Sequence, residues 1–271
     1  MKKILALLLI GVLAMSNIPA FAGLAPEPQP VMIGGAMTIE SQVMMDALED
    51  PQLIELEGYL FVKGKINGYP VVAYKTEVGM VNATMSTLLG ILEFNPRAVI
   101  NNGTSGGHDY ALHTGDIVLG GKIVNINSFK TDHLDEGAGF APETWSWRTT
   151  TIRVNGEFTK VSALESDPEL LALAQTIPYT KGNLVVGVIG SGDVWNREID
   201  RILDIHADFG TSCEEMETFA IAQVCAQLNI PFLGTRILSN TELYMEDFKP
   251  ETGIDNQEYV LDLVEALIAT Y

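Results

Sequence analysis

One stretch organises this chain: it runs from Cys213 to Asn240 and reads C-E-E-M-E-T-F-A-I-A-Q-V-C-A-Q-L-N-I-P-F-L-G-T-R-I-L-S-N. Residues 217–228 carry apolar side chains at helical spacing, so the pattern predicts a helix there. Residues 231–238 are mostly apolar and begin with a proline, which is typical of a buried strand. A helix that leads directly into a buried strand indicates an α/β protein.

Polar residues stand at both ends of this helix and strand. Glu215 and Glu217 flank Met216 where the helix would begin, and Ser239 and Asn240 end the strand. Two carboxylates at an apolar strand-to-helix junction are costly to bury unless they meet hydrogen-bond donors, and sugar hydroxyl groups are such donors. The stretch therefore predicts a site for a polyhydroxylated ligand.

The rest of the chain alternates between strand-like and helix-like segments. Three predicted strands end in turns rich in glycine, serine or asparagine, and ligands gather at such strand ends in α/β folds. An Asn-Gly pair between two apolar runs is a specific signal for a hairpin. We predict strands within 30–37, 98–100, 116–129 and 184–189, a hairpin over 60–74, helices over 39–48, 80–94, 168–175 and at the C-terminus, and a long loop plus a hairpin over 130–160.

The composition favours one globular domain with a small-molecule ligand. A chain of 271 residues with 47% hydrophobic content can bury one sizeable core, and we predict a single domain over 31–271. The formal net charge of −19 should repel nucleic acid and anionic membranes, so we expect neither as a partner.

The first residues have the pattern of a secretory signal peptide, which we assign to 1–22. Lys2 and Lys3 precede an apolar run over 4–15, and a small-x-small sequence follows it. A membrane anchor is the alternative, but this run is too short to span a bilayer comfortably. Residues 23–30 are rich in proline and are predicted to form an extended lead-in. We therefore expect an exported protein, periplasmic or secreted.

The chain has two cysteines, Cys213 and Cys225. A disulfide is possible in an oxidising compartment. Cys225 falls on the predicted buried face of a helix, however, which favours two independent buried thiols. No spacing of cysteines and histidines suggests zinc, and we expect neither a metal nor a cofactor.

Three further features can carry chemistry, and each has a purely structural alternative. The glycine-rich segment 102–107 can cradle an anion or a water with its backbone N–H groups, or it can be a tight turn. It matches neither a P-loop nor a dinucleotide fingerprint. Trp195 can stack on a flat base or serve in a core or interface. Glu40 can act on a ligand or simply favour the start of its helix through the helix dipole.

Together these segments resemble the nucleoside phosphorylase/nucleosidase superfamily, and most closely the 5'-methylthioadenosine/S-adenosylhomocysteine nucleosidases. The matching stretches occur in the family order and cover most of the chain after residue 30. They are I-G-G-A-M-T-I-E (33–40), K-T-E-V-G-M-V-N-A (75–83), V-I-N-N-G-T-S-G-G (99–107), G-D-I-V (115–118), S-G-D (191–193), E-M-E-T-F-A-I-A-Q-V-C (215–225) and P-F-L-G-T-R-I-L-S-N (231–240).

The resemblance implies a three-layer α/β/α sandwich around a central mixed sheet. It also implies a homodimer in which the neighbouring subunit completes part of the active site. The activity to expect is a purine nucleosidase, which hydrolyses an N-glycosidic bond to release a free base and a pentose.

The resemblance also assigns roles to individual residues. Glu40 would activate the attacking water, Asn240 would contact the purine and Trp195 would stack on it. The remaining candidates would surround the sugar, its 5' substituent and the water; they are Met37, Val78, Thr104, Ser105, Gly106, Glu215, Met216, Glu217 and Ser239.

Two departures from the family pattern bear on the reaction. Phosphorylases of the superfamily hold phosphate with two arginines, and those places here carry Ile39 and Asn101, which are uncharged. Because phosphate would bind poorly without guanidinium partners, hydrolysis is favoured over phosphorolysis. Phosphorolysis by a purine nucleoside phosphorylase remains the alternative.

The second departure concerns the leaving group. The nucleosidases carry aspartate as the donor to purine N7, where this chain has Asn240. An amide can donate a hydrogen bond but cannot transfer a proton, and loss of a general acid typically slows a reaction about 100- to 10,000-fold. Some superfamily members that act on 6-oxopurine nucleosides place asparagine here, so a changed base preference, towards inosine or guanosine, is one hypothesis. A non-catalytic nucleoside-binding or storage protein is the other.

Overall fold

The computed structural model describes residues 27–271, and its centre is a mixed sheet of ten strands. The predicted signal peptide over 1–22 and the beginning of the predicted lead-in lie outside the described residues. None of the helices within 27–271 is long and apolar enough to cross a membrane.

The described chain contains fourteen strands, six α-helices and two short 3-10 turns, at Pro142–Thr144 and Glu242–Tyr244. The strands are β1 (Val31–Gly35), β2 (Glu49–Leu56), β3 (Tyr59–Ile66), β4 (Tyr69–Lys75), β5 (Ala98–Asn101), β6 (Thr104–Gly107), β7 (Ile117–Asn125), β8 (Phe129–Lys130), β9 (Ser146–Trp147), β10 (Thr150–Val154), β11 (Glu157–Val161), β12 (Leu184–Ser191), β13 (Thr211–Glu215) and β14 (Phe232–Asn240). The helices are α1 (Thr38–Asp46), α2 (Met80–Phe94), α3 (Pro168–Ala174), α4 (Ile199–Phe209), α5 (Thr218–Leu228) and α6 (Thr252–Ile268).

The ten-stranded sheet has the order β2-β3-β4-β1-β5-β14-β6-β13-β12-β7. Its centre is parallel, because β1 pairs in parallel with β4 and β5, and β5 does so with β14. Strand β14 also pairs antiparallel with β7, so the five strands from β14 to β7 close into a ring. The carboxyl ends of β13 and β14 are thereby brought to either side of β6.

Helices cover both faces of this sheet. Along β1, Ile33 packs in a cluster with α1, α3 and α6, whereas the adjacent Met32 packs in a cluster with α2 and α5. Successive side chains of a strand point to opposite faces, so these two clusters lie on opposite sides of the sheet. The predicted three-layer α/β/α architecture is confirmed.

The hairpin predicted over 60–74 is present as β3 and β4. Its turn residues Asn67 and Gly68 have φ values of 49° and 76°, which the mirror-image hairpin turn requires. Cys213 in β13 and Cys225 in α5 are both buried and free, as the sequence favoured.

The structure differs from the sequence prediction near the glycine-rich segment 102–107. Its second half is not a turn but the short strand β6, which stays extended because it pairs with β14 on one side and β13 on the other. A strand-to-helix junction was expected at Glu215 and Glu217, but no bounds were predicted for strand β13, since its sequence T-S-C-E-E has few apolar residues. All five of its residues are nevertheless buried.

Candidate active site

A cavity of about 250 Å³ opens where the carboxyl ends of β1, β4, β12, β13 and β14 meet. All twelve site residues predicted from the sequence line this cavity: Met37, Glu40, Val78, Thr104, Ser105, Gly106, Trp195, Glu215, Met216, Glu217, Ser239 and Asn240. Four lining residues were not singled out from the sequence: Ala36, Val194, Glu214 and Phe248. The cavity lies where α/β folds commonly bind ligands, outside the carboxyl ends of the strands.

Glu40 is held rigidly at one end of the cavity. It is the third residue of α1, and its Oε2 accepts hydrogen bonds from the backbone nitrogens of Ala36 (3.0 Å) and Met37 (2.9 Å). Its Oε1 accepts from the backbone nitrogen and the hydroxyl of Thr104, both at 2.7 Å. The N-terminus of α1 and these four donors therefore fix the orientation of the carboxylate.

A buried ion pair underlies the middle of the cavity. The guanidinium of Arg236 places Nη2 2.5 Å from Oε2 of Glu215, and the side chains are only 1% and 2% exposed. The same Nη2 donates to Oδ1 of Asn101 at 2.6 Å. Arg236 lies in β14, Glu215 in β13 and Asn101 in β5, so the pair links three strands. The sequence did contain a signal for this role, because a lone arginine within a buried strand needs an anionic partner.

The carboxylate of Glu215 is fully occupied by the protein. In addition to Arg236 it accepts from the hydroxyl of Ser191 and from the backbone nitrogens of Glu217 (2.9 Å) and Thr218 (2.9 Å). Burial alone would raise the pKa of Glu215, but Arg236 and these hydrogen bonds hold it below its usual range. Glu215 thus carries a negative charge and fixes the entry into α5.

Glu217 has the opposite tendency, although it lies only two residues further on. Its Oε1 accepts from the backbone nitrogen of Gly79 at 2.8 Å, and the nearest guanidinium nitrogen of Arg236 is 3.9 Å away. Burial and the neighbouring charge of Glu215 raise the pKa of Glu217 to about 8. At neutral pH this side chain is therefore largely protonated and can both donate and accept hydrogen bonds.

The other end of the cavity combines aromatic rings with an amide. Trp195 is half exposed and meets the ring of Phe248 edge to face, with 5.6 Å between the ring centroids. Asn240 is 5% exposed, and its Oδ1 accepts from the hydroxyl of Ser239 at 3.2 Å. Within residues 27–271 its Nδ2 donates to no protein acceptor, so this donor remains available to a ligand in the cavity.

Glu214 adds a carboxylate that sequence patterns did not reveal. Its oxygens accept from the backbone nitrogen of Asn196 at 2.7 Å and from Asn196 Nδ2 at 2.5 Å. Its Oε2 is also 3.2 Å from Nε2 of the buried His108. Because Asn196 follows Trp195 directly, these bonds tether the loop that carries the indole ring to the sheet.

The positions at which phosphorylases would carry arginine lack any positive charge. Asn101 is fully buried and is engaged by Arg236 and by the hydroxyl of Thr218. The sixteen residues that line the cavity in the described part of the chain include no lysine, arginine or histidine. The geometry therefore offers no cationic contact for a phosphate.

Comparisons with known proteins agree with this geometry. The sequence model of the family described as the phosphorylase superfamily matches residues 32–269. A 5'-methylthioadenosine/S-adenosylhomocysteine nucleosidase from Bacillus cytotoxicus is 28% identical over 249 residues, which cover 88% of this chain and 99% of the relative.

Solved structures of such nucleosidases share the fold. The enzyme from Colwellia psychrerythraea 34H, in complex with adenine, has a TM-score of 0.72 and 26% identity, covering 88% of this chain and 96% of its own. The enzyme from S. pneumoniae, with the transition-state inhibitor MT-ImmA, has a TM-score of 0.73 and 25% identity, covering 88% and 99%.

The raised pKa of Glu217 predicts a pH dependence of stability. The folded state keeps a proton that the unfolded chain loses near pH 4.5, the ordinary pKa of a glutamate, so the free energy of unfolding should fall as the pH rises from about 5 to about 8. In Glu217→Gln, which mimics the protonated side chain, this contribution to the fall should disappear. Urea unfolding across that range measures it, with exposed Glu93→Gln as the control. Parallel curves for wild type and Glu217→Gln would contradict the assignment.

The buried ion pair predicts a strong asymmetry between single and double variants. Arg236→Met leaves the Glu215 carboxylate buried without its partner and should lower the free energy of unfolding by about 3–5 kcal/mol. The double variant Arg236→Met/Glu215→Gln should recover a large part of that loss, because no unpaired charge remains. Arg197→Met, which removes an exposed arginine paired with Glu242, is the control and should change little. Additive losses in the double variant would refute this account.

Proposed function

The chain belongs to the phosphorylase superfamily, and on that premise we propose that it is a purine nucleosidase. The reaction is hydrolysis of the N-glycosidic bond of nucleosides of the 5'-methylthioadenosine/S-adenosylhomocysteine type, to free base and pentose. The observation that carries this proposal is one cavity lined both by Glu40 and Glu217 and by the indole of Trp195 and the free amide donor of Asn240. The similarity to enzymes of that name supports it.

Glu40 is the proposed base for the attacking water. As the bond from C1' to the base nitrogen lengthens, positive charge develops on the sugar and nearby carboxylates stabilise it. Glu40 takes a proton from the water as its oxygen bonds to C1', while the electron pair of the broken bond moves to the base. The hydroxyl of Thr104 donates a hydrogen bond to Oε1 of Glu40. Because this hydroxyl can rotate about its C–O bond, it can also help to orient that water.

Glu217 is the proposed anchor for the ribose, beside Met216. Its protonated carboxyl can donate to one sugar hydroxyl and accept from another, a combination that suits a vicinal diol. Glu215 does not contact the substrate in this proposal, because its oxygens already bind Arg236, Ser191 and the backbone at the start of α5.

Water is the proposed acceptor of the pentose rather than phosphate. A phosphate dianion would enter a cavity lined by four glutamates, and the one arginine beneath it is held by Glu215 and Asn101. The electrostatic arrangement supports hydrolysis.

We also propose a homodimer whose second copy borders the 5' end of the site. Helix α2 exposes Val81, Met85 and Leu92 at helical spacing, and it begins two residues after Val78, which lines the cavity. A row of exposed apolar side chains beside a binding site is typical of an interaction surface. Export remains a prediction from residues 1–22.

The proposed roles predict that Glu40→Gln abolishes base release. The amide cannot accept the proton of water, and loss of a general base typically slows a reaction about 100- to 10,000-fold. The measurement is release of base from 5'-methylthioadenosine, S-adenosylhomocysteine, adenosine and inosine, with and without phosphate, using Glu93→Gln as the control. Strict dependence on phosphate would make the protein a phosphorylase. Unchanged turnover in Glu40→Gln would remove Glu40 from the mechanism, and tight binding without product would make it a binding protein.

The amide of Asn240 predicts a gain of function. Asn240→Asp supplies an acid that can protonate the departing purine, so hydrolysis of neutral adenine nucleosides should rise about 100-fold or more. Steady-state kcat on 5'-methylthioadenosine measures this effect. The exposed turn residue Asn155→Asp makes the same chemical change away from the cavity and should leave kcat unaltered. A lower kcat in Asn240→Asp would mean that the amide, and not an acid, suits this reaction.

A further inference from the structure

Two adjacent amide side chains in α6 lie behind the cavity and are not among the residues that line it. Asn256 and Gln257 are both fully buried. Helix α6 packs against α1, the helix that carries Glu40. A buried amide costs free energy unless it forms hydrogen bonds, so the partners of these two side chains show what they hold in place.

Gln257 binds the backbone of α1 next to Glu40. Its Nε2 donates to the backbone oxygen of Ile39 at 2.7 Å, and its Oε1 accepts from the backbone nitrogen of Val43 at 2.9 Å. The oxygen of Ile39 belongs to the same planar peptide group as the nitrogen and the Cα of Glu40. Gln257 therefore fixes the peptide group from which the side chain of Glu40 extends.

Asn256 binds a second peptide group, on the other side of the Glu40 carboxylate. Its Nδ2 donates to the backbone oxygen of Gly103 at 3.1 Å. That oxygen belongs to the same peptide group as the N–H of Thr104, which donates to Oε1 of Glu40 at 2.7 Å. The C=O and the N–H of a trans peptide lie in one plane and point in opposite directions, so holding the oxygen also sets the direction of the N–H. Asn256 thereby aligns a donor to the carboxylate through the backbone.

The first turn of α6 also packs tightly against the same groups. A Cβ added at Gly253 would lie 3.1 Å from the backbone oxygen of Ile39, 3.3 Å from Cγ2 of Thr104 and 3.4 Å from Cγ of Glu40. At these distances the neighbours would have to move by a few tenths of an ångström. The position of α6 is therefore coupled directly to the position of Glu40.

We propose that Asn256 and Gln257 are positioning residues for Glu40. They hold the peptide group that carries Glu40 and the peptide group that donates to its Oε1. In this way α6 keeps the carboxylate where it can take a proton from the attacking water. The inference rests on the proposed nucleosidase reaction and adds to it two residues from outside the cavity.

Proton transfer from water depends steeply on where the base lies. The base has to come within hydrogen-bond reach of the water, and a misplacement of about 1 Å can slow a reaction about 100-fold. Binding of the nucleoside depends on other side chains, which the proposed function places at Glu217, Trp195 and Asn240. Loss of either α6 amide should therefore lower kcat much more than it raises KM.

The test measures kcat and KM for Gln257→Met and Asn256→Leu, which replace each amide by an apolar side chain of similar size. The substrate is the one of the four nucleosides named above that the wild type hydrolyses fastest. We expect kcat to fall about 10- to 100-fold while KM changes less than about threefold. All rates are measured well below the lowest melting temperature of the set, so that every variant is folded. An unchanged kcat, or a loss that lies mainly in KM, would overturn the inference.

Two further variants separate positioning from a loss of stability. Tyr259→Phe removes a buried hydrogen bond of the same helix, from the tyrosine hydroxyl to the backbone oxygen of Ala174 at 2.7 Å, and should leave kcat unaltered. Gly253→Ala removes no side-chain hydrogen bond but pushes against Glu40, so it should lower kcat. A loss of kcat in Tyr259→Phe as large as that in Gln257→Met, or a normal kcat in Gly253→Ala, would refute the positioning role.

The outcomes also separate this inference from the proposed function. Base release that is lost in Glu40→Gln but keeps its full kcat in the α6 variants would overturn the inference and leave the nucleosidase standing. No base release by the wild type from any of the four nucleosides would overturn both.

Discussion

The ion pair between Arg236 and Glu215 is the constraint on which the site depends. Burying two charges is expensive, and their attraction offsets that cost only with close contact and further hydrogen bonds, both of which are present. Arg236 keeps Glu215 ionised, and the charge of Glu215 then helps keep Glu217 protonated. Glu215 and Glu217 have the same side chain and lie two residues apart, yet their pKa values shift in opposite directions. One holds strands together, and the other is free to meet a ligand.

The ring formed by the strands from β14 to β7 explains how the end of the cavity that holds Asn240 is assembled. Strand β6 is only four residues long, yet it pairs with β14 and β13 and brings their polar carboxyl ends to either side of Gly106. Glu214 and Asn240 are 26 positions apart in sequence and become neighbours only through this pairing. A side chain at residue 106 would occupy the space between them. Backbone topology, and not local sequence, therefore brings these two side chains together at one end of the cavity.

Sequence patterns predicted the parts of the site that are local, and missed those that depend on long-range pairing. Glu40 follows a glycine turn at a helix start and Glu217 directly precedes α5, so both were candidates by position, and the family resemblance supplied their roles. Glu214 was not, because β13 is a polar sequence that becomes a strand only between β6 and β12. The role of Arg236 likewise depends on partners from two other strands. Side chains that act through neighbours distant in sequence leave little trace in a pattern of periodicity and motifs.

The two halves of the cavity impose different demands on charge. In the proposed hydrolysis, the carboxylates at the end of the cavity that holds Glu40 stabilise the positive charge that develops on the sugar as the glycosidic bond breaks. In the same proposed reaction the electron pair of the broken bond moves to the base, so a hydrogen-bond donor is favourable there, and Nδ2 of Asn240 faces the cavity without a protein acceptor among residues 27–271. The amide of Asn240 can donate a hydrogen bond to the base but cannot transfer a proton to it.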